Sequence, residues 1–151
     1  DRGAVTNALV ASALAHGDMG LALPILAPSG VAVTLSQFGS DGQQQTYLKE
    51  YAGESVPQSS VVIAEPGALF NPFALATKAT RTSGGYVLSG VKSMVPQAGS
   101  AELFVVGAEL DGKPALFIVE SDTKGLIVEA DPGPDPDIAM LTTARPAPWA
   151  G

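Results

Sequence analysis

The chain has 151 residues, a formal net charge of −7, one histidine and no cysteine. That length suits one unit burying about two-thirds of its extended surface. The missing cysteines exclude disulfides and thiolate metal sites, and one histidine leaves little material for zinc. The eight Lys and Arg are scattered, which argues against a broad nucleic-acid surface but leaves room for a small basic pocket.

From the N-terminus, Asp1-Arg2-Gly3 has no Met and no signal-peptide layout, so the start reads as a cut. Val5, Leu9, Ala13 and His16 recur at helical spacing, predicting a helix over 5–16 with Gly17 as its stop. Asp18 is placed to cap a second helix, which Pro24 is expected to end or kink. The apolar stretch Leu21 to Val33 is broken by Pro24, Pro28 and Gly30, so no membrane span is expected. Val31 to Phe38 predicts a short helix entered through Pro28-Ser29. Ser40 or Asp41 can cap the next, with Gln43 or Gln44 reaching back, Leu48 and Tyr51 inward, and Gly53 as the end. His16, at a helix end, suits contact with terminal carbonyls better than a mechanism.

From Ser59 the pattern turns to β, which puts a boundary near Pro57. Thr77 to Thr82 alternates, Ser83-Gly84-Gly85 supplies the backbone freedom of a tight turn, and Tyr86 to Lys92 alternates again. Arg81 and Lys92, which lie on these alternating strands, are expected to be solvated, outward-facing charges. Leu103 to Leu110 and Ala115 to Glu120 flank Asp111-Gly112, a strong hairpin cue. Further strands are expected at Leu126 to Glu129 and Ile138 to Thr143, separated by the acidic proline loop Asp131 to Asp137. Arg145 to Trp149 ends the chain without a capping element. The abundance of Gly (17) and Pro (12) suits this loop-rich β half. The fold class is α+β, with short helices first and an antiparallel, barrel-like β unit after them.

Three ordered motifs narrow this. Glu65-Pro66-Gly67, then Gly85-Tyr86-Val87-Leu88-Ser89-Gly90-Val91-Lys92, then Ala98-Gly99-Ser100-Ala101 resemble the middle β-domain of the acyl-CoA dehydrogenase family. Upstream, Gly39-Ser40, Gln44, Tyr47-Leu48 and Gly53-Glu54 are similar to the helical approach to that domain. The resemblance covers about residues 4 to 130. It implies that residues 1–56 are the end of an N-terminal helical domain and 57–151 a middle β-domain, with the family's C-terminal helical bundle absent.

The activity implied is α,β-desaturation of an acyl-CoA thioester, in which a carboxylate takes the α proton and FAD accepts the β hydrogen at N5. That carboxylate usually comes from the C-terminal helices, so no catalytic residue is assigned here. Glu65 reads as a loop-holding carboxylate. By motif position, Val61, Ile63, Ala64, Met94, Val95 and Pro96 line the flavin, and Phe70 falls where a family serine meets flavin phosphate or the acyl-CoA. Ala64 stands where a flavin-bonding threonine is usual, Met94 for a tryptophan packed on the ring, and Pro96 for a second threonine. Backbone amides at 63 or 64 can still bond flavin oxygens, and the Met94 sulfur can pack on a ring. Pro96 and Phe70 supply no donor. The competing reading makes Phe70 and Phe73 core aromatics.

As a full-length protein the resemblance implies an acyl-CoA substrate, an electron-transfer flavoprotein or similar acceptor, and a homo- or hetero-oligomer. The cysteine-free composition fits the cytoplasm. Two alternatives stay open: a non-catalytic subunit or binding module on the same fold, suggested by the donors lost at 64, 70 and 96, and a flavin oxidase or monooxygenase relative. Fold alone does not separate them.

Overall fold

The computed structural model describes residues 3–67, 69–130, 138–143 and 146–147. Helix α1 spans Ala4–Gly17, and none of its residues is fully buried. Its half-buried face is Ala11, Leu14 and Ala15, while Val5 and Leu9 point to solvent. The inward set is therefore offset from the one that spacing predicted. Asp18 caps helix α2 (Met19–Phe38), its Oδ1 accepting from the Leu21 amide at 3.0 Å.

Helix α2 runs through Pro24 and Pro28 without ending, where a first helix ended or kinked at Pro24 and a separate short one from Val31 were expected. Each proline removes one amide from the helical ladder. Being four residues apart, the two fall on one face, so the missing bonds stack on a single side. Packing outweighs the loss. Val31 and Leu35 are buried against Leu103, Val105 and Ile118 of the sheet, and Pro28 is buried as well. The result is a 20-residue helix with mean hydropathy 1.6, long and apolar enough by those measures to cross a membrane, yet anchored to the sheet along its C-terminal half.

Ser40 and Gln43 form the expected reciprocal capping box at α3 (Asp41–Gln43). A π-helical turn at Gln44–Leu48 leads into α4 (Lys49–Tyr51). Two tyrosines fasten this segment to the sheet. Tyr47 donates to Glu120 Oε1 at 3.1 Å and Tyr51 to Ser59 Oγ at 2.8 Å. Burial, reinforced by Glu120, pushes the Tyr47 hydroxyl up to about 12, and burial also raises Tyr51.

The strands are β1 (Ser59–Val62), β2 (Lys78–Thr82), β3 (Gly85–Pro96), β4 (Leu103–Leu110), β5 (Lys113–Glu120), β6 (Leu126–Ala130), β7 (Ile138–Thr143) and β8 (Pro146–Ala147). They make one sheet whose main path is β1-β4-β2-β3-β7-β6, with β5 on β4 and β8 on β3. The sheet is mixed where an antiparallel one was expected. β1 and β2 both lie parallel to β4, because the long irregular segment between them returns the chain to the same edge. The two turns fall where they were expected, each tightened to two residues because Gly85 and Lys113 already belong to strands. Thr82 pairs with Gly85 across Ser83-Gly84, and Asp111 (φ 53°) and Gly112 (φ 79°) take the left-handed conformations of a hairpin turn. Residues 131–137, where the acidic proline loop was read, and Trp149 lie outside the described residues.

β4 is the centre of the molecule. Leu103 to Ala108 is buried throughout, as a strand covered on both faces must be. Phe104, Val106 and Ala108 face a core with Val62, Leu88, Val95, Phe117 and Val119. Leu103 and Val105 face the other way, onto α2.

Candidate functional site

Beyond Val62 the chain leaves the sheet edge and crosses to β3, where three hydrogen bonds hold it. The Ser93 amide donates to the Ala64 carbonyl at 3.1 Å. The Lys92 ammonium donates to the Ile63 carbonyl at 3.0 Å and to Glu65 Oε1 at 2.8 Å. Glu65 also accepts from the amides of Ala76 (2.7 Å) and Thr77 (2.8 Å), closing the segment between them into a loop with its ends together. The Glu65–Lys92 pair is dry, with side-chain exposures of 9% and 2%.

Lys92 is therefore not the outward-facing charge its residue type suggested. It shares the inward parity of Leu88, and its partner stands 27 residues back in the chain. Burial on its own would raise the Glu65 carboxyl, but the bonds from Lys92, Thr77 and Ala76 outweigh it and hold the group at about 2. Burial draws Lys92 below its ordinary value, with Glu65 opposing.

Immediately after Lys92, β3 loses register with β7, the shift lying between Lys92 and Val95. This is a bulge, which re-aims side chains. Met94 occupies the left-handed region at φ 54° and stands 66% exposed. Past the bulge the alternation changes phase, so Val95 turns into the core at 1% exposure and can offer a guest only its backbone. Pro96 is half-buried, paired with Ile138.

The predicted site residues thus separate. Ala64 and Met94 come together through the Ala64–Ser93 bond. Val61 turns its side chain towards α2, with Cγ2 close to Gly30. Ile63 lines an open apolar cavity of about 310 Å³ with Phe73, Leu75, Gly107 and Leu116. Phe70 is 40% and Phe73 81% exposed, so neither is a core aromatic. The loop that carries them has its polar ends tied to Glu65, which leaves the rings at its surface. His16 is exposed in the last turn of α1, and Arg81 is exposed as expected, bonded to Asp111 and to the Tyr86 hydroxyl. Glu65 is the loop-holding carboxylate expected of it, through the Ala76 and Thr77 amides. What sequence reasoning missed is its pairing with Lys92, for which one signal was usable, the even-numbered register that Lys92 shares with Leu88.

Residues 60–142 match the family model of the acyl-CoA dehydrogenase middle domain, and residues 1–55 that of the acyl-CoA dehydrogenase N-terminal domain. The chain belongs to the acyl-CoA dehydrogenase family. Among its relatives, a probable medium-chain specific mitochondrial acyl-CoA dehydrogenase of Caenorhabditis briggsae is 31% identical over 126 residues, covering 78% of this chain and 31% of the relative. A cyclohex-1-ene-1-carbonyl-CoA dehydrogenase of Geobacter metallireducens is 29% identical over 132 residues, covering 84% and 35%. A glutaryl-CoA dehydrogenase of Mycobacterium smegmatis, solved in complex with FADH2, superposes with a TM-score of 0.81. It is 23% identical over 95% of this chain and 38% of its own, a likeness of fold.

This chain thus spans about a third of the length of those relatives. The family is one of flavoproteins, and the residues around Ala64 and Met94 suit such a group. An exposed, polarizable thioether beside main-chain polar groups can pack on an aromatic ring and bond its edge.

Proposed function

We propose that this chain is a section of an FAD-dependent acyl-CoA dehydrogenase acting on the α and β carbons of an acyl-CoA thioester. In this reading residues 1–56 end the helical domain and 57–151 form the middle β-domain. The observation that carries it is the bond between Ser93 and Ala64, which sets a short open backbone beside the exposed Met94 within a matched middle domain.

When bound, FAD would supply the two-electron acceptor that no side chain provides. The chain's own residues would hold it: Met94 by packing, Ala64 and Ile63 through main-chain groups, Val95 through its backbone, and Pro96 as an apolar flank, with the Val61 side chain packed away on α2. Phe70 would meet acyl-CoA by apolar contact, since it has no donor. Glu65 cannot serve as the base. Its oxygens are committed to Lys92, Ala76 and Thr77, and a carboxyl held at about 2 is too weak to take an α proton at neutral pH. The base is therefore expected from a segment beyond these residues. Electrons would leave through an electron-transfer flavoprotein or similar acceptor, in a homo- or hetero-oligomer.

The full-length protein is expected to be yellow and to reduce a dye when given an acyl-CoA, while the 151-residue chain alone gives no turnover. A full-length protein that shows no flavin absorbance, and no dye reduction with any acyl-CoA, would overturn the reading. Pro96 and Phe70, which lack donors, favour one alternative: a non-catalytic subunit. A colourless protein that co-purifies with a flavin-bearing relative would support that instead. Oxygen uptake coupled to flavin reoxidation would mark an oxidase or monooxygenase.

A further inference from the structure

Buried ion pairs are costly, and replacing one with well-packed apolar residues of similar volume is often neutral for stability. Stability is therefore not a full account of Lys92 and Glu65. An apolar pair could fill their space. It could not bind the Ile63 carbonyl and the Ala76 and Thr77 amides together, as these two side chains do.

The peptide between Ile63 and Ala64 is trans, so its N–H points opposite to its C=O. With the Ile63 carbonyl drawn onto Lys92, the Ala64 amide is aimed away from Lys92. On the other strand, Lys92 is the last residue in register before the bulge, and Met94 is thrown outward two residues later. Both halves of the flavin seat are thus referred to one ammonium group.

We propose that Lys92, held by Glu65, is a positioning residue for the cofactor seat: it orients the Ala64 amide and fixes the start of the bulge that presents Met94. This rests on the flavin reading above. Neither side chain needs to touch the flavin.

The test uses the protein labelled with 15N at alanine and serine and with 13C in the methionine methyls, comparing wild type with Glu65→Leu/Lys92→Met. The double change leaves no lone charge buried, so the fold is expected to persist. Lys92→Arg, which keeps the charge but not the point contact, serves as a second variant. The expected result has three parts: displaced Ala64 and Ser93 amide signals and Met94 methyl signal, unmoved signals from Ala11 and Ala15, and at least tenfold weaker FAD binding with an altered flavin absorption band. Displaced signals with FAD affinity kept within twofold would overturn the positioning role and leave the flavin reading standing. Unmoved signals would overturn it whatever happens to affinity. A wild-type protein that binds no FAD would overturn both.

Discussion

Lys92 reaches across 27 residues of sequence to place its ammonium 2.8 Å from Glu65 Oε1, and the two seal a loop end to the middle of the longest strand. Stability in acid should follow from that contact. Glu65 titrates at about 2 in the folded chain against an ordinary value of 4.5, so the folded state favours its charged form. Its contribution, on the order of 3 kcal/mol, is fully present above pH ~4.5 and is lost as pH falls through about 2. Urea unfolding followed by circular dichroism should show this fall. The gap between wild type and Glu65→Gln should narrow over the same window; a gap constant from pH 6 to pH 2 would contradict it.

A methyl group at Gly90 would sit 2.5 Å from Thr77 Oγ1 and 2.7 Å from Thr77 Cα. The obstacle includes backbone, which cannot rotate aside. Gly90→Ala should therefore cost about 1–3 kcal/mol by overpacking. Because the Thr77 amide is one of the donors on Glu65, the damage should also reach the acid limb of the stability curve. A denaturation midpoint within error of wild type would show that the strands part more easily than the close approach implies.

Met94 holds a left-handed backbone that a residue with a Cβ adopts at a cost of about 1 kcal/mol. Met94→Gly removes that strain and also removes the thioether. The expected outcome is a pair of opposite signs: unfolding free energy unchanged or up by as much as about 1 kcal/mol, and weaker FAD binding. Thermal melts and flavin fluorescence titration read the two separately. Tighter FAD binding by the glycine variant would rule out packing by Met94.

Asp18 supplies the side-chain cap of α2 through Leu21. Asp18→Ala should lose about 1 kcal/mol, measured by chemical denaturation, while Asp18→Asn or Asp18→Ser should keep most of it. The helix already lacks two ladder amides at Pro24 and Pro28, which leaves it few local resources to absorb the change.

What the sequence made legible was local. The Asp18 and Ser40 caps, the two-residue turns at Ser83-Gly84 and Asp111-Gly112, and the alternating strands are each written within a few adjacent residues. The failures were long-range. Pro24 and Pro28 signal a break, but burial of Val31 and Leu35 against β4 and β5 overrides them, and those partners lie about 70 residues or more away. Lys92 looked solvated because charge is the stronger local cue, while its acceptors on Ile63 and Glu65 belong to a crossing that no periodicity announces. The bulge after Lys92 was equally hidden. Alternation carried through it would misplace Val95, and only the pairing with β7 reveals the change of phase. At the site, the motifs picked out Ala64 and Met94, which the fold brings together, and held Glu65 and Lys92 without showing that the two pair.

The covering of β4 on both faces has a cost outside the native state. Leu103-Phe104-Val105-Val106 needs no surface chemistry while folded, so nothing in it is polar. In an unfolded or nascent chain those residues form a short, uncharged, β-prone stretch of the type that stacks with copies of itself. Glu102 directly precedes it and Glu109 follows after Gly107-Ala108, as charged gatekeepers. Refolding yield should therefore fall with protein concentration, and replacing either glutamate with a neutral residue should sharpen that fall before it alters the native protein.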